Sequence, residues 1–481
     1  MQFSHIIYPE EILFYTQPWD VEIGIPRSDF RKLQKGDVFF CEDGFHESGF
    51  SYVADAPAKG AVAVVTSPGG AKRIGSLPIP VLEVENVRKS YALAWSRYEN
   101  APADGLRLIA VTGTNGKTSV SYFLHTLLLA CGIPAGLIGT VEYTSGGKTV
   151  PSSYTTPPPD ILYPMLREMK ENGIQTVVME ASSHAIAQER LYGLRFETAV
   201  FTGLSRDHLD YHKTWEAYRD TKALLFTQAK NSLLNLGDAE AKYMGLYAAS
   251  NVYYYGRTPE ADFHIRIPSH DARRIRYTLC FEKDVLPVSV PVFGSFHIEN
   301  SAAAIACAYL EGINGAIIAE AAKMLRSPAG RLEKLDLPVE FSVYIDYAHS
   351  PDALTMALSS LRPFTKKLTV LFGAGGDRDQ GKRPEMGAAA EALADLVILT
   401  DDNPRNESPA AILDDIEKGM KKNNHVRMEN REKAILWALN QAEPEEILLF
   451  AGKGHENYII DQNGKHPFSE KEIIKKWATP T

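Results

Sequence analysis

Apolar and polar positions along the chain follow the periods of both strands and helices, which predicts an α/β protein. In the first hundred residues, Asp37-Val-Phe-Phe and Gly60-Ala-Val-Ala-Val-Val predict short strands. Val81-Leu-Glu-Val then leads into an amphipathic stretch from Val87 to Tyr98. The segment Asn100-Ala-Pro-Ala-Asp-Gly is typical of a linker, so a first unit ends there.

A second unit begins with Leu106-Arg-Leu-Ile-Ala-Val, which is apolar on both faces like a buried strand. A glycine-containing loop and a helical stretch from Thr118 to Ala130 follow. Gln175-Thr-Val-Val-Met and Thr198-Ala-Val-Phe predict two more buried strands. Strand–loop–helix order of this kind predicts parallel βαβ units, and this unit ends near Gly330.

The last third repeats the alternation of strands and helices. Its predicted strands are Phe341-Ser-Val-Tyr-Ile, Leu368-Thr-Val-Leu-Phe, Leu396-Val-Ile-Leu and Ile447-Leu-Leu-Phe, and its helical stretches are Pro384 to Leu393 and Glu432 to Gln441. A polar loop follows each strand, and the carboxyl ends of strands are where open α/β sheets bind ligands. These loops are Asp346-Tyr-Ala-His, Gly373-Ala-Gly-Gly-Asp-Arg, Thr400-Asp-Asp-Asn-Pro-Arg and Gly452-Lys-Gly-His-Glu.

Composition and net charge argue against several classes of protein. A net charge of −9 argues against a nucleic-acid partner, whose binding surface would be basic. The 4 cysteines form no Cys-x-x-Cys pair, so we expect neither a zinc site nor a disulfide framework. The first residues do not resemble a signal peptide, and no apolar run reaches the roughly 18 residues of a membrane span. We therefore expect a cytoplasmic protein with no membrane partner.

The strongest single motif is Val111-Thr-Gly-Thr-Asn-Gly-Lys-Thr-Ser, between a predicted strand and a predicted helix. Gly113 and Gly116 let backbone N–H groups approach phosphate oxygens. Lys117 can neutralise phosphate charge, and the Thr118 hydroxyl can bind Mg²⁺. Val111 stands where the strict P-loop pattern has its first glycine, and a glycine-rich turn with a surface lysine is the alternative.

Three further residues are candidates for a metal site. Glu180 follows the apolar run Val177-Val-Met, and carboxylate and phosphate oxygens suit Mg²⁺. His208 lies in Ser205-Arg-Asp-His-Leu-Asp-Tyr-His, and Lys222 lies in Tyr218-Arg-Asp-Thr-Lys. Taken alone, each has a structural alternative: a surface acid at a strand end, a structural histidine and a helix-surface lysine.

The loop from Gly113 to Ser119 resembles the nucleotide loop of the Mur ligase family, and motifs follow in family order from about residue 29 to residue 456. The family joins an amine to a carboxylate through an acyl phosphate made from ATP. The resemblance implies that Thr118, Glu180, His208 and Lys222 as a carbamate hold Mg²⁺. It implies ATP contacts from Gly113, Thr114, Asn115, Gly116, Lys117, Thr118, Ser119, Asn300, Arg331, Asp346 and His349. His297 replaces the first asparagine of the adenine motif.

Asp402-Asn403-Pro404-Arg405 resembles the signature of the family branch that adds meso-diaminopimelate. The guanidinium of Arg405 can pair in bidentate fashion with the distal carboxylate, which lysine lacks. Arg378, Gly452 and Glu456 match the family's remaining amine contacts, with Glu456 facing the distal ammonium. The alternative is a turn that caps a helix.

The acceptor motifs depart more from the family. Asp29-Phe30-Arg31 has phenylalanine at the serine that contacts UDP, and Gly44-Phe45-His-Glu47 brings an acid near the diphosphate site. Tyr154 and Gly203 replace asparagines. The positions that match are Thr155, Thr156, Ser182, Gln188 and Arg190. The departures leave open a ligase that uses a different or non-UDP acceptor.

Taken together, the residues and the resemblance predict a three-domain α/β ligase. We expect an acceptor domain like the UDP-binding one in residues 1–100, a P-loop-type ATPase domain with a parallel sheet in residues 101–333, and a Rossmann-like amino-acid-binding domain in residues 334–481. The predicted substrates are ATP, a UDP-linked muramoyl dipeptide and meso-diaminopimelate, used by a monomer in peptidoglycan biosynthesis. A non-catalytic nucleotide-binding protein is the rival from another class.

Overall fold

The computed structural model describes residues 1–44, 47–271 and 273–479. Three sheets follow one another along the chain, with helices packed on them, as the α/β prediction requires. No helix among the described residues is both long and apolar enough to cross a membrane.

The first sheet has the strand order β1-β5-β4-β3-β2, parallel except for β1. Its strands are β1 Ile12–Tyr15, β2 Pro26–Arg27, β3 Val38–Phe40, β4 Ala63–Thr66 and β5 Val81–Val84, with helices α1 Gly70–Ile74 and α2 Val87–Tyr98. The Asn86 side chain accepts a hydrogen bond from the Lys89 N–H and so caps α2. The helix therefore has the bounds of the predicted amphipathic stretch.

The second sheet has the order β16-β15-β14-β13-β12-β11-β6-β10-β7-β8-β9. Its strands are β6 Arg107–Thr112, β7 Ala135–Ile138, β8 Glu142–Ser145, β9 Lys148–Pro151, β10 Thr176–Glu180, β11 Phe196–Phe201, β12 Ala229–Asn235, β13 Asn251–Gly256, β14 Phe263–His270, β15 Ile275–Phe281 and β16 Asp284–Val290. The strands from β14 to β7 run parallel, as predicted. Antiparallel strands extend the sheet at both ends, which the prediction of βαβ units did not include.

Helices of the second unit cover both faces of this sheet. They are α3 Lys117–Ala130, α4 Pro159–Glu171, α5 Ser183–Ala187, α6 Leu209–His212, α7 Trp215–Ala223, α8 Ala241–Gly245, α9 His297–Leu310 and α10 Gly315–Ala321. Helix α3 packs against α9 and against strands β6, β7 and β10. Its apolar side chains, including Val120 and Phe123, join those of β6 in one core cluster. This packing fixes the N-terminus of α3 at the carboxyl end of β6.

The third sheet has the order β17-β18-β22-β19-β20-β21, in which only the edge strand β17 is antiparallel. Its strands are β17 Glu333–Leu335, β18 Ser342–Asp346, β19 Leu368–Phe372, β20 Leu396–Leu399, β21 His425–Arg427 and β22 Ile447–Ala451, and β23 Tyr458–Asp461 pairs with β24 Gly464–Pro467. Its helices are α11 Pro351–Leu361, α12 Lys382–Leu393, α13 Pro409–Glu417, α14 Arg431–Gln441 and α15 Glu470–Ala478. The predicted polar loops follow the carboxyl ends of β18, β19, β20 and β22.

Candidate active site

The loop between β6 and α3 has a backbone that requires glycine. Gly113 has φ of +147° and Gly116 has φ of +86°, both outside the range that side chains favour. A Cβ at Gly113 would lie 2.0 Å from the Thr202 hydroxyl oxygen, and one at Gly116 would lie 2.7 Å from Asn300 Oδ1. The loop therefore packs directly against Asn300, the candidate adenine contact.

Lys117 begins α3 and folds back over this loop. Its Nζ donates to the carbonyl oxygens of Gly113 at 2.8 Å and Thr114 at 2.9 Å. Burial lowers the pKa of the Lys117 ammonium. The Lys117 ammonium therefore lies beside the loop at the place where a phosphate would bind.

Glu180 ends β10 and is fully buried beside the loop. Thr118 Oγ1 donates to Glu180 Oε2 at 3.1 Å, and the Thr140 N–H donates to Glu180 Oε1 at 2.8 Å. Among the described residues, no three His, Cys, Asp or Glu side chains cluster closely enough to hold a metal ion. Thr118 and Glu180 nevertheless fit Mg²⁺, which takes one or two protein oxygens together with substrate phosphates and water.

Lys222, in α7, is buried under the same loop, with 1% of its surface exposed. Its Nζ donates to the Gly113 carbonyl oxygen at 2.9 Å. Burial, and after it the neighbouring Lys117 charge, hold the pKa of Lys222 well below its usual value. A buried lysine of this kind favours the neutral amine, the form that reacts with CO₂.

His208 lies between α5 and α7, at the start of α6. Burial lowers the pKa of its imidazole, which favours the neutral ring that a metal requires. Its ring lies 4.9 Å from that of His184 and 6.2 Å from that of Tyr218. The structure therefore brings His208 to the cavity that contains the loop.

Four of the candidate acceptor residues form one network beside Glu180: Thr156, Ser182, Gln188 and Arg190. Thr156 Oγ1 donates to the Glu180 carbonyl oxygen at 2.7 Å and accepts from the Ser182 N–H at 3.0 Å. Arg190 Nη1 donates to the Thr156 carbonyl oxygen at 2.7 Å, and its Nη2 donates to Gln188 Oε1 at 2.8 Å. Gln188 therefore joins this hydrogen-bond network through Arg190.

A cavity of about 1100 Å³ joins these groups. The predicted residues that line it are Thr114, Asn115, Gly116, Lys117, Thr118, Ser119, Thr155, Thr156, Glu180, Ser182, Arg190, His208, Lys222, Asn300, Arg331, Asp346, His349 and Arg378. They come from both the second and the third units of the fold. The predicted residues that do not line it are Gly113, Phe30, Gln188, Asp402, Asn403, Pro404, Arg405, Gly452 and Glu456.

Phe30 lies in the first unit, in a short 3-10 turn. Its ring stacks on Tyr52, with centroids 5.0 Å apart, and the Lys59 ammonium lies 4.4 Å from the ring centroid. The Tyr52 hydroxyl donates to Glu47 Oε2 at 2.8 Å. Phe45, the other aromatic departure from the acceptor motif, is outside the described residues.

The loop after β20 carries the candidate amine contacts. Arg405 has φ of +52°, and its Nη1 donates to the Gly376 carbonyl oxygen at 2.8 Å. Asn403 Nδ2 donates to Glu456 Oε2 at 2.9 Å, which joins this loop to the loop after β22. Asn403 and Glu456 therefore join the two loops, and Asp402 directly precedes Asn403 in the first of them.

Arg331, at the start of the third unit, contacts the N-terminal end of α3 beside the nucleotide loop. Arg331 Nη2 donates to Thr118 Oγ1 at 3.1 Å, and its guanidinium lies 4.8 Å from the Tyr347 ring centroid. The Tyr347 hydroxyl donates to Glu456 Oε1 at 3.3 Å. Arg331 and Tyr347 thus connect the nucleotide loop with the amine loops.

Asp346 and His349 lie beside Arg331. The N–H groups of Leu332 and Ala348 both donate to the Asp346 carboxylate, at 2.6 and 2.7 Å. Burial raises the pKa of Asp346 to about 6, although the Arg331 charge opposes the shift. Burial lowers the pKa of His349, whose Nδ1 lies 2.8 Å from the Tyr347 carbonyl oxygen. Asp346 therefore fixes the backbone at the junction of the second and third units.

The sequence motifs did not predict the contacts of Thr140, Lys453 and the Tyr347 hydroxyl. Thr140 supports Glu180 with two hydrogen bonds. Lys453 is fully buried between the two amine loops. Its place in Gly452-Lys-Gly-His-Glu, directly after a buried strand, is the sequence signal that could have identified it.

Comparison with known proteins agrees with this geometry. Residues 111–308 match the model of the Mur ligase middle domain, and residues 330–454 match that of the Mur ligase, glutamate ligase domain. UDP-N-acetylmuramoyl-L-alanyl-D-glutamate–2,6-diaminopimelate ligase 1 of Clostridium acetobutylicum is 36% identical over 462 residues, 95% of each chain. This chain belongs to the Mur ligase family.

Further relatives cover as much of the chain. The ligase of the same name from Aquifex aeolicus is 39% identical over 93% of this chain and 92% of its own. A solved structure of such a ligase has a TM-score of 0.70 and 30% identity over 99% of this chain and 98% of its own. Folylpolyglutamate synthase of Mycobacterium tuberculosis, solved with ADP, shares the fold, with a TM-score of 0.62 and 18% identity over 76% of this chain and 92% of its own. The predicted family and fold class are confirmed.

Proposed function

We propose that this chain is an ATP-dependent ligase that adds meso-diaminopimelate to the D-glutamyl γ-carboxylate of UDP-N-acetylmuramoyl-L-alanyl-D-glutamate. The observation that carries the proposal is the single cavity of about 1100 Å³ shared by the nucleotide loop, the acceptor network and Arg378. A ligase of this kind needs nucleotide, acceptor and amine within reach of one another. The names of the curated relatives support the same reaction.

In the first step the acceptor carboxylate oxygen forms a bond to the γ-phosphorus of ATP, and the bond to the β–γ bridging oxygen breaks. ADP leaves with that electron pair. Lys117 and Arg190 line the cavity and offset the negative charges that this step brings together. The loop N–H groups at the N-terminus of α3 hold the nucleotide phosphates.

In the second step the neutral amine nitrogen forms a bond to the acyl carbon, and the carbon–oxygen bond to phosphate breaks. The nitrogen loses one proton before the attack and one after it, and phosphate leaves with the electron pair. Arg378 lines the cavity on the side of the third unit and orients the incoming amine. Exclusion of water from the cavity would protect the acyl phosphate from hydrolysis.

Thr118 and Glu180 would hold Mg²⁺ with the ATP phosphates, and His208 and Lys222 would complete a second position. Bound there, Mg²⁺ supplies positive charge beside the phosphoryl group. For Lys222 this role requires carbamylation, because an ammonium would repel the metal. The low pKa of the buried Lys222 amine supports the proposed carbamate.

The candidate amine site supports diaminopimelate over lysine. Arg405 would pair with the distal carboxylate and Glu456 with the distal ammonium. Asn403 bridges toward Glu456 at 2.9 Å, which keeps both groups on neighbouring loops. Lysine has the distal ammonium alone and would leave the guanidinium without its partner.

A second candidate function is a ligase of the same family that uses a different or non-UDP acceptor. The first unit favours it, because Phe30 supplies no hydroxyl and stacks on Tyr52. The neighbouring cations already have partners: Arg31 Nε donates to Asp29 Oδ1 at 2.9 Å, and Lys59 Nζ donates to the Phe30 carbonyl oxygen at 2.8 Å. A diphosphate bound there would have to replace these contacts.

The test is phosphate release from ATP, measured with each substrate omitted in turn and with a panel of amines. The proposal requires that release depend on both the UDP-linked dipeptide and diaminopimelate. Free dipeptide, tested against the UDP-linked form, distinguishes the second candidate. ATP hydrolysis that ignores acceptor and amine would contradict both ligase functions and indicate an ATPase. ATP binding with no phosphate release under any combination of substrates would favour a non-catalytic nucleotide-binding protein.

A further inference from the structure

Lys453 follows β22 and lies wholly inside the third unit, with none of its side chain exposed. Its Nζ donates to Asn403 Oδ1 at 2.7 Å and to the Tyr458 carbonyl oxygen at 2.8 Å. The same ammonium lies 3.2 Å from Asp402 Oδ1 and 3.5 Å from Glu456 Oε2. One buried cation therefore contacts both candidate amine loops and the strand β23.

We propose that Lys453 is a positioning residue for the amine substrate. It holds Asn403 and Glu456 in the arrangement that recognises the distal ammonium, without touching the substrate itself. This inference rests on the proposed function and states how the amine pocket of that function is held in place.

The orientation of the Asn403 side chain depends on two donors, one of which is Lys453. Asn403 Oδ1 accepts from Lys453 Nζ and from the Ile460 N–H, at 2.7 and 2.9 Å. Both bonds require the oxygen on that side, so the amide nitrogen must face Glu456 Oε2, to which it donates at 2.9 Å. Tyr347 donates to the other carboxylate oxygen at 3.3 Å. Lys453 and the Ile460 N–H together determine which side of Glu456 remains for a ligand, and Lys453 is the side chain of the two that a substitution can remove.

The charges in the pocket also favour this role. Asp402 and Glu456 bring two negative charges, and Lys453 and Arg405 bring two positive charges. The nearby Arg431 is paired with Glu470 at 2.9 Å and adds no net charge. The pocket is therefore balanced, which suits a ligand end that presents one ammonium to Glu456 and one carboxylate to Arg405. Without Lys453, two buried carboxylates would repel each other and the loops that carry them.

A purely structural lysine would give a different kinetic result. Loss of a scaffold residue lowers stability and the apparent kcat, or changes the KM values of all three substrates together. Loss of a positioning residue raises KM for the amine and leaves KM for ATP and for the acceptor unchanged. The separation between the KM values distinguishes the two roles.

The experiment compares Lys453→Gln with Glu446→Gln in the full chain. Glu446 precedes the same strand at its opposite end and is also buried, with Thr369 Oγ1 donating to it at 2.6 Å. We expect Lys453→Gln to raise KM for diaminopimelate about tenfold to one hundredfold, the effect of lost buried hydrogen bonds to charged groups. Glu446→Gln, which loses a buried charge far from the loops, should keep the wild-type KM.

A second variant covers the case in which Lys453→Gln does not fold. Lys453→Met combined with Asp402→Asn removes one charge of each sign, so the core keeps its balance. Its amine KM should exceed that of Asp402→Asn alone, because Asn403 has lost one of the two donors that orient it. A wild-type amine KM in either folded variant, or equal changes in the KM for ATP, would overturn the proposal.

Wild-type enzyme is first assayed with the amine panel, so that failure of the proposed function is seen separately. If another amine gives the highest kcat/KM, the diaminopimelate assignment fails. The variants are then measured with that amine, and the same rise in its KM is required of Lys453→Gln.

Discussion

Arg405→Ala is the most direct test of amine recognition. Within the part of the chain that the structure describes, both side-chain hydrogen bonds of Arg405 use Nη1, to Gly376 O at 2.8 Å and Asn403 O at 3.4 Å. Its Nε and Nη2 therefore remain for a carboxylate. These two donors have the spacing of a bidentate pair, which is the geometry that a distal carboxylate would use.

The expected rise in KM follows from the hydrogen bonds that Arg405 would make to the distal carboxylate. A hydrogen bond between charged groups contributes about 1.5–3 kcal/mol, or about tenfold to one hundredfold in binding. We expect the alanine variant to raise KM for diaminopimelate by that range. KM for ATP should not change, because Arg405 does not line the cavity that contains the nucleotide loop.

Arg405→Lys is the matched control, because it keeps the charge and removes the planar pair of donors. One ammonium cannot both hold Gly376 and pair with two carboxylate oxygens, so its KM should lie between those of the wild type and the alanine variant. The assay measures initial rates with diaminopimelate and lysine in competition. A wild-type enzyme that prefers lysine, or an alanine variant with unchanged KM for diaminopimelate, would refute the reasoning.

Four further predictions test other parts of the site. Lys117→Ala should abolish phosphate release and keep the wild-type melting temperature, and near-normal turnover would mean that the phosphate site is elsewhere. Lys222→Arg should be nearly inactive because arginine cannot be carbamylated, and added acetate should partly restore the activity of Lys222→Ala. Full activity of Lys222→Arg would exclude the carbamate. Phe30→Ser should lower the dissociation constant for the UDP-linked acceptor, and no change would argue against a UDP contact there. Gly454→Ala should lower the free energy of unfolding by about 1–3 kcal/mol, measured by thermal unfolding, because Gly454 has φ of +54° and a Cβ there would lie 2.7 Å from the Tyr347 Cβ. Wild-type stability would show that the loop can move aside.

Local patterns predicted a large part of the fold. Helix α2 has the bounds of its amphipathic stretch because its N-cap, Asn86, is adjacent in sequence. The nucleotide loop was identified from one contiguous motif between a strand and a helix. By contrast, the outer strand β9 is exposed throughout, and β16 has exposed residues at Asp284, Val285 and Pro287, so neither shows the fully buried apolar run that identified the central strands.

Residues of the candidate site were harder to predict where their partners are distant in sequence. Lys453 has a defined role only because Asn403, fifty residues earlier, lies 2.7 Å from it in the folded chain. The sequence places this lysine in a loop directly after a buried strand, but it does not show which residues its ammonium contacts. Thr140 likewise supports Glu180 across forty residues. Such residues are identified by packing rather than by spacing.

The nucleotide contacts and the amine contacts lie in different places, which bears on the order of the two reaction steps. Most of the nucleotide and acceptor candidates line the cavity, whereas Arg405 and Glu456 do not, and Arg378 does. The first step needs only groups that already line one cavity. The second step needs the amine to reach the acyl carbon from the outer loops. Arg405 and Arg378 both lie beside Gly375, where a Cβ would be 3.0 Å from Arg405 Nη1 and 3.7 Å from Arg378 Cγ. An amine bound at Arg405 therefore has Arg378 as its neighbour on the side of the cavity, which suits a substrate with a charged group at each end.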